Sequence, residues 1–281
     1  MDKKKGFKIV LYIISFFLLV ILIKNLDLVL VSEAIKKVPA RLLLCCLGMQ
    51  LVTEMLLSYQ WHRIARTLKL PGTYASHLWA NSVESFFDAI TPGAKIGGEL
   101  MRVIFFKEEL GYSNIEAVSL LTIQKSFSVS SFLILAAVSA CSILMHIASS
   151  DSLASYAFIV VLAVAMLFLI LYFFLNSEKI YRRLSARESK GKIAQAFIDW
   201  LKNFNEHIEK IKSDRRELVA QILISFAIWF IYPLKLFILV SYFKQVNFFY
   251  LLAVVFTSYF LGNIPILPGG LVAFEGSMTV L

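Results

Sequence analysis

Charge is scarce in this chain. Asp, Glu, Lys and Arg make up 17% of its 281 residues, where a soluble domain carries roughly 25%. That shortage excludes an ordinary water-soluble globule. The four histidines (His62, His77, His146 and His207) are dispersed, so no metal cluster is indicated and no cofactor is called for. Cys45, Cys46 and Cys141 lie inside apolar runs, without metal or disulfide spacing, and read as small packing residues. No Ser/His/Asp arrangement is visible, which weighs against an enzyme. No small-residue cleavage site closely follows Ile9–Ile23. That apolar segment, flanked by Lys3, Lys4, Lys5 and Lys8, reads as an uncleaved first span.

What the chain has instead is apolar length. Hydrophobic residues are 59% of it, and mean hydropathy is +0.75. Residues 153–175 carry no charge, and Phe127–Ile147 carries only His146 near its end. Stretches of about 20 such residues read as spanning helices. The expected fold is an all-α integral membrane protein, a single polytopic domain over residues 1–281. About five full spans fall near 8–24, 42–60, 120–147, 153–175 and 218–243. Two further apolar segments, 76–107 and 248–281, are broken by Pro and Gly.

The formal charge of +9 sits largely beside the apolar segments, which points to lipid headgroups as partners and not to nucleic acid. Residues 176–217 hold eleven Lys/Arg against seven Asp/Glu, a net +4. The positive-inside rule makes this the cytoplasmic loop. Counting spans from it places residues 61–75, 107–112 and the N-terminus on the same face, in a plasma or inner membrane. The 24–41 segment must then lie outside, although it carries Lys24, Lys36, Lys37 and Arg41. The 76–107 segment must enter and leave by one face, as a re-entrant hairpin bent at Thr91-Pro92-Gly93. Within 176–217, Ile193, Ala196, Phe197, Trp200, Leu201, Phe204, Ile208 and Ile211 recur at helical spacing among lysines. They predict an amphipathic interfacial helix.

One pattern occurs twice. Pro92-Gly93-Ala94-Lys95-Ile96-Gly97-Gly98-Glu99 is echoed by Pro268-Gly269-Gly270-Leu271-Val272-Ala273-Phe274-Glu275, each with a Glu seven residues after the Pro. Proline suits a first helical turn, and glycine the break before it. Free N–H groups at such helix starts attract anions. Gly97 and Gly98 allow close approach of a backbone or ligand. Two broken segments entering from opposite faces point to an inverted repeat with a substrate site at the breaks. Charged residues at membrane depth are functional candidates by default: Glu99, Arg102 (which can pair with Glu99 at i, i+3), Lys125, Glu275, Glu54 and Lys235. Lys125 is placed to face Glu99 or a lipid phosphate. Glu84 and Asp88, at i, i+4, read as polar lining of the hairpin mouth.

Three blocks carry a family resemblance: Thr91–Arg102, the helix Ala117–Phe127, and Leu267–Glu275. Through them the sequence resembles the lysylphosphatidylglycerol synthase transmembrane family, flippase-like membrane proteins. In the second block the family usually has an Arg where this chain has Lys125, which keeps the charge without the planar fork. The resemblance implies a helical domain that moves an anionic or aminoacylated phospholipid, or a lipid-linked glycan carrier, between leaflets. In multidomain members a cytosolic transferase domain makes the lipid, and here the corresponding partner would be a separate cytosolic lipid-modifying enzyme. The family pattern also implies further helices beyond Leu281, where this chain stops inside an apolar segment. The expected substrate-binding set is Pro92, Gly93, Lys95, Gly98, Glu99, Arg102, Lys125, Pro268, Gly269, Gly270 and Glu275. Two other classes stand beside the transporter: a membrane-embedded lipid-modifying transferase, and a non-catalytic membrane subunit that recruits a cytosolic enzyme.

Overall fold

The computed structural model describes residue 33 and residues 36–90, 96–144, 150–186 and 191–262. Among these, eight helices and no strand occur: α1 (Ala40–Thr67), α2 (Tyr74–Ile90), α3 (Ile96–Glu108), α4 (Asn114–Leu144), α5 (Ser150–Ser185), α6 (Lys192–Ser213), α7 (Arg215–Phe243) and α8 (Phe248–Gly262). Among the described residues, four stretches are long and apolar enough to cross a membrane: Ala40–Thr67, Asn114–Cys141, Val160–Ser185 and Arg215–Phe243. They match four of the five expected spans; the 8–24 span lies outside the described residues.

Side-chain caps, and not the edge of the apolar run, set the starts of three helices. At α4, Ser113 and Glu116 form a capping box. The Ser113 N–H donates to Glu116 Oε2 at 2.8 Å, and the Glu116 N–H donates to Ser113 Oγ at 3.2 Å. The helix therefore starts at Asn114, not near 120. Asp214 accepts from the Arg216 and Glu217 N–H groups and starts α7. At α8, Asn247 accepts from the Phe249 N–H at 2.8 Å. Gly111, at φ +75°, makes the tight turn between α3 and α4 that a Cβ would resist. Much of the 176–217 stretch is thus helical: the end of α5, all of α6 and the start of α7.

Helices α2 and α3, of 17 and 13 residues, extend only about 26 and 20 Å at 1.5 Å per residue. A hydrocarbon core of about 30 Å exceeds either one. They pack side by side. The start of α2 (Ala80) and the end of α3 (Phe106) share one core cluster with the end of α1 (Trp61, Ile64, Ala65), the start of α4 (Leu120, Ile123) and α6 (Leu201, Phe204, Ile208, Ile211). The end of α1, the start of α2, the end of α3 and the start of α4 thus meet around α6. A second cluster, Phe132, Leu133, Ala136, Ala163, Leu252 and Phe256, joins α4, α5 and α8 further along. Helix α4 is central and touches α1, α3, α5, α6, α7 and α8. The outer faces of α1 and α5 carry exposed Leu44, Leu47, Leu51, Val161, Phe168 and Leu175, the surface expected to face lipid.

Candidate functional site

A cavity of about 790 Å³ opens between the two clusters, lined by seven helices. One wall is polar: Glu54 from α1, Asn81, Glu84, Ser85 and Asp88 from α2, Glu99 from α3, and Gln124 and Lys125 from α4. The facing wall is apolar and aromatic, with Phe132, Leu133, Leu162, Met166, Trp229, Tyr232, Tyr259 and Phe260 from α4, α5, α7 and α8. Pro233, one residue past Tyr232, has no N–H to give the helix ladder of α7, so the ladder is interrupted beside this wall.

The polar wall is held by ion pairs. Lys125 Nζ lies 2.7 Å from Glu99 Oε1 and 4.0 Å from Glu84 Oε1. It is 32% exposed and Glu99 is 33% exposed, so both reach open cavity. The expected pairing of Lys125 with Glu99 is present. Arg102, in contrast, turns away from Glu99. It pairs with Glu84, donates from Nη2 to Asn81 Oδ1 at 2.6 Å and lies 4.3 Å over the Trp61 ring. Its side chain is 0% exposed, and among the described residues it is absent from the cavity lining. It sits behind the wall, holding Glu84 and Asn81 in place. The i, i+3 spacing permitted Glu99 as its partner, but packing of α3 against α2 turned it inward.

The contacts continue without a gap. Asn81 Nδ2 donates to Glu54, and Gln50 Nε2 donates to Glu54 Oε1 at 2.9 Å. Lys235 donates to Gln50 and stands 4.5 Å from the Tyr232 ring centroid. A chain of polar side chains thus runs from Lys235 on α7 through α1, α2 and α3 to Lys125 on α4. Such depth-buried charges cost several kcal/mol unless paired in this way. Glu54 and Lys235 are bridged through Gln50. Below the cavity, Gln60 links α1 to α4 and α7, accepting from Gln124 at 3.0 Å and donating to Ser225 at 2.6 Å.

Gly98 is the point where α3 meets α2. A Cβ there would collide with the Asp88 carboxylate and come within 2.5 Å of the Glu84 carbonyl. The Gly98 N–H donates to Asp88 Oδ1 at 2.9 Å. At the start of α3 this one N–H is thus taken by a carboxylate of the neighbouring helix. Of the remaining predicted site residues, Pro92, Gly93, Lys95, Pro268, Gly269, Gly270 and Glu275 lie outside the described residues. Asn81 and Gln50 were missed by sequence reasoning. A usable signal existed for the first: Asn81, Glu84, Ser85 and Asp88 fall at i, i+3, i+4 and i+7, a polar stripe on one face of α2.

Comparison with known proteins agrees with this architecture. The chain is 23% identical to a UPF0104 membrane protein of Pyrococcus horikoshii, a match covering 94% of this chain and 83% of the relative. No solved structure matches it. The model of the lysylphosphatidylglycerol synthase transmembrane region matches residues 8–281, almost the full length, and the chain belongs to that family.

Proposed function

We propose that the cavity binds a membrane lipid and that the protein moves this lipid between leaflets. The observation that carries the reading is the two-sided cavity: a charged wall faces an apolar one among helices long enough to span a bilayer. A phospholipid has the same division between headgroup and acyl chains. Lys125 is the cation exposed to a headgroup phosphate, which would compete with Glu99 for it. Glu99, released in that exchange, is then available to a headgroup amine or hydroxyl. Glu54, Glu84 and Asp88 bias the cavity toward headgroups that carry a cation as well as a phosphate, such as an aminoacylated lipid. The aromatic wall from α4, α7 and α8 would take the chains.

The second Pro-Gly motif, with Glu275, belongs to the same reading as the counterpart of Pro92–Glu99, the two halves rocking to alternate access. A cytosolic lipid-modifying enzyme would be the natural supplier of the lipid, from the cytoplasmic side of a plasma or inner membrane. The test is lipid movement in vesicles containing purified protein and fluorescent phosphatidylglycerol or its aminoacylated form. Wild type should move the lipid, while Glu99→Gln, Lys125→Gln and Glu275→Gln should each lower the rate at least tenfold with the fold intact. Equal rates in all four proteins would overturn the proposal.

A further inference from the structure

The apolar stripe of α6 is longer than the bundle that covers it. Ile193, Phe197, Trp200, Phe204, Ile208 and Ile211 follow one another in steps of three and four, so they share one face of the helix. Phe204, Ile208 and Ile211 are fully buried in the cluster formed with the ends of α1, α4 and α5. Trp200 is half-buried and stacks on Phe173 of α5, with ring centroids 6.3 Å apart and planes 11° from parallel. Beyond Trp200 the same face is bare: Phe197 is 47% exposed and Ile193 is 88% exposed.

The bare end adjoins an apolar surface. Phe197 touches Trp200 at 5.3 Å between centroids, and Trp200 rests on α5. Around Phe173, the α5 residues Leu169, Tyr172 and Leu175 are exposed. They end an outward apolar face that starts at Val161, on a helix apolar enough to span a bilayer. Ile193 and Phe197 therefore extend the lipid-facing surface of α5 at the level where its charges begin. Lys179, Arg182 and Arg183 on the last turns of α5, and Lys202 on α6, are all exposed there. The opposite face of the first turns of α6 carries Gln195 and Asp199, hydrogen-bonded to each other at 3.0 Å.

We propose that the first two turns of α6, residues 192–199, lie in the headgroup layer of an anionic bilayer. Ile193 and Phe197 reach the acyl boundary, while the remainder of α6 is clamped to the bundle. Lys179, Arg182, Arg183 and Lys202 supply the attraction to anionic headgroups. The division is sharp: the interfacial part ends at Trp200, because from Leu201 onward the protein itself buries the stripe.

The test uses the full chain with Cys45, Cys46 and Cys141 replaced by Ala and one new cysteine at a time: Ile193→Cys, Phe197→Cys or Asp199→Cys. Each is labelled with bimane and reconstituted in phosphatidylcholine vesicles, with and without phosphatidylglycerol. A lipid-borne spin label should quench the probes at 193 and 197 several-fold more than aqueous iodide does, and more strongly with phosphatidylglycerol present. The probe at 199 should show the reverse preference. Iodide quenching at 193 and 197 equal to that at 199 would overturn the proposal. So would shielding from both quenchers, the result expected if a protein partner or a second copy covers the face. Lipid quenching that ignores phosphatidylglycerol would overturn the role given to the basic residues.

Discussion

Arg102 is the residue on which the polar wall depends. Its guanidinium is fully buried, pairs with Glu84, bonds Asn81 and lies over Trp61. Removing one partner of a buried pair leaves the other charge uncompensated, at about 3–5 kcal/mol. Arg102→Met should therefore lower unfolding stability in detergent by about that much, and adding Glu84→Gln should restore a good part of it. No recovery in the double variant would show that Glu84 is not the main partner. Gly98 gives a second prediction. A methyl group there meets the Asp88 carboxylate and the Glu84 carbonyl, so Gly98→Ala should cost about 1–3 kcal/mol by overpacking. A melting temperature equal to wild type would mean that α2 and α3 separate freely. Both roles were only partly legible. The twin glycines signalled close approach, but which helix approached, and which carboxylate Arg102 chose, depended on the packing of α3 on α2.

Among the elements, α6 joins the bundle through a buried stripe that includes a titratable neighbour. Burial holds the His207 imidazole below its usual range, Lys210 adds to the effect, and Glu116 and Glu206 oppose it. Its Nδ1 has no hydrogen-bond partner among the described residues. The folded state thus favours neutral His207, while the unfolded chain protonates near its ordinary pKa of about 6.5. Stability is full above that value and declines as pH falls through it. Melting in detergent at pH 7.5 and pH 5.5 should show a loss on acidification, which His207→Gln should reduce. An identical pH response in the variant would remove His207 as the cause. The amphipathic period of α6 was plain in the sequence. Its division into a buried and a bare part was not, because periodicity reports which face is apolar and says nothing about what covers it.

For the whole molecule, the proposed lipid site carries a thermodynamic consequence. A lipid that binds the folded state alone stabilises it by about 2.7 kcal/mol at a hundredfold excess over its Kd. Aminoacylated phosphatidylglycerol added to detergent micelles should raise the wild-type melting temperature and leave Lys125→Gln nearly unchanged. An equal rise in both would place the binding away from Lys125. The sequence by itself determined the helical membrane class, the place of four of the spans to within about ten residues at either end, the family, and the candidacy of Glu99 and Lys125. Apolar length and charge at membrane depth are local properties, readable one segment at a time. Only the tertiary structure decided that Glu54, Asn81, Glu84, Asp88, Glu99 and Lys125 share one cavity wall, and that Arg102 lies behind it. These residues come from four helices, and their meeting is set by which helix faces pack, a relation between segments that no single segment encodes.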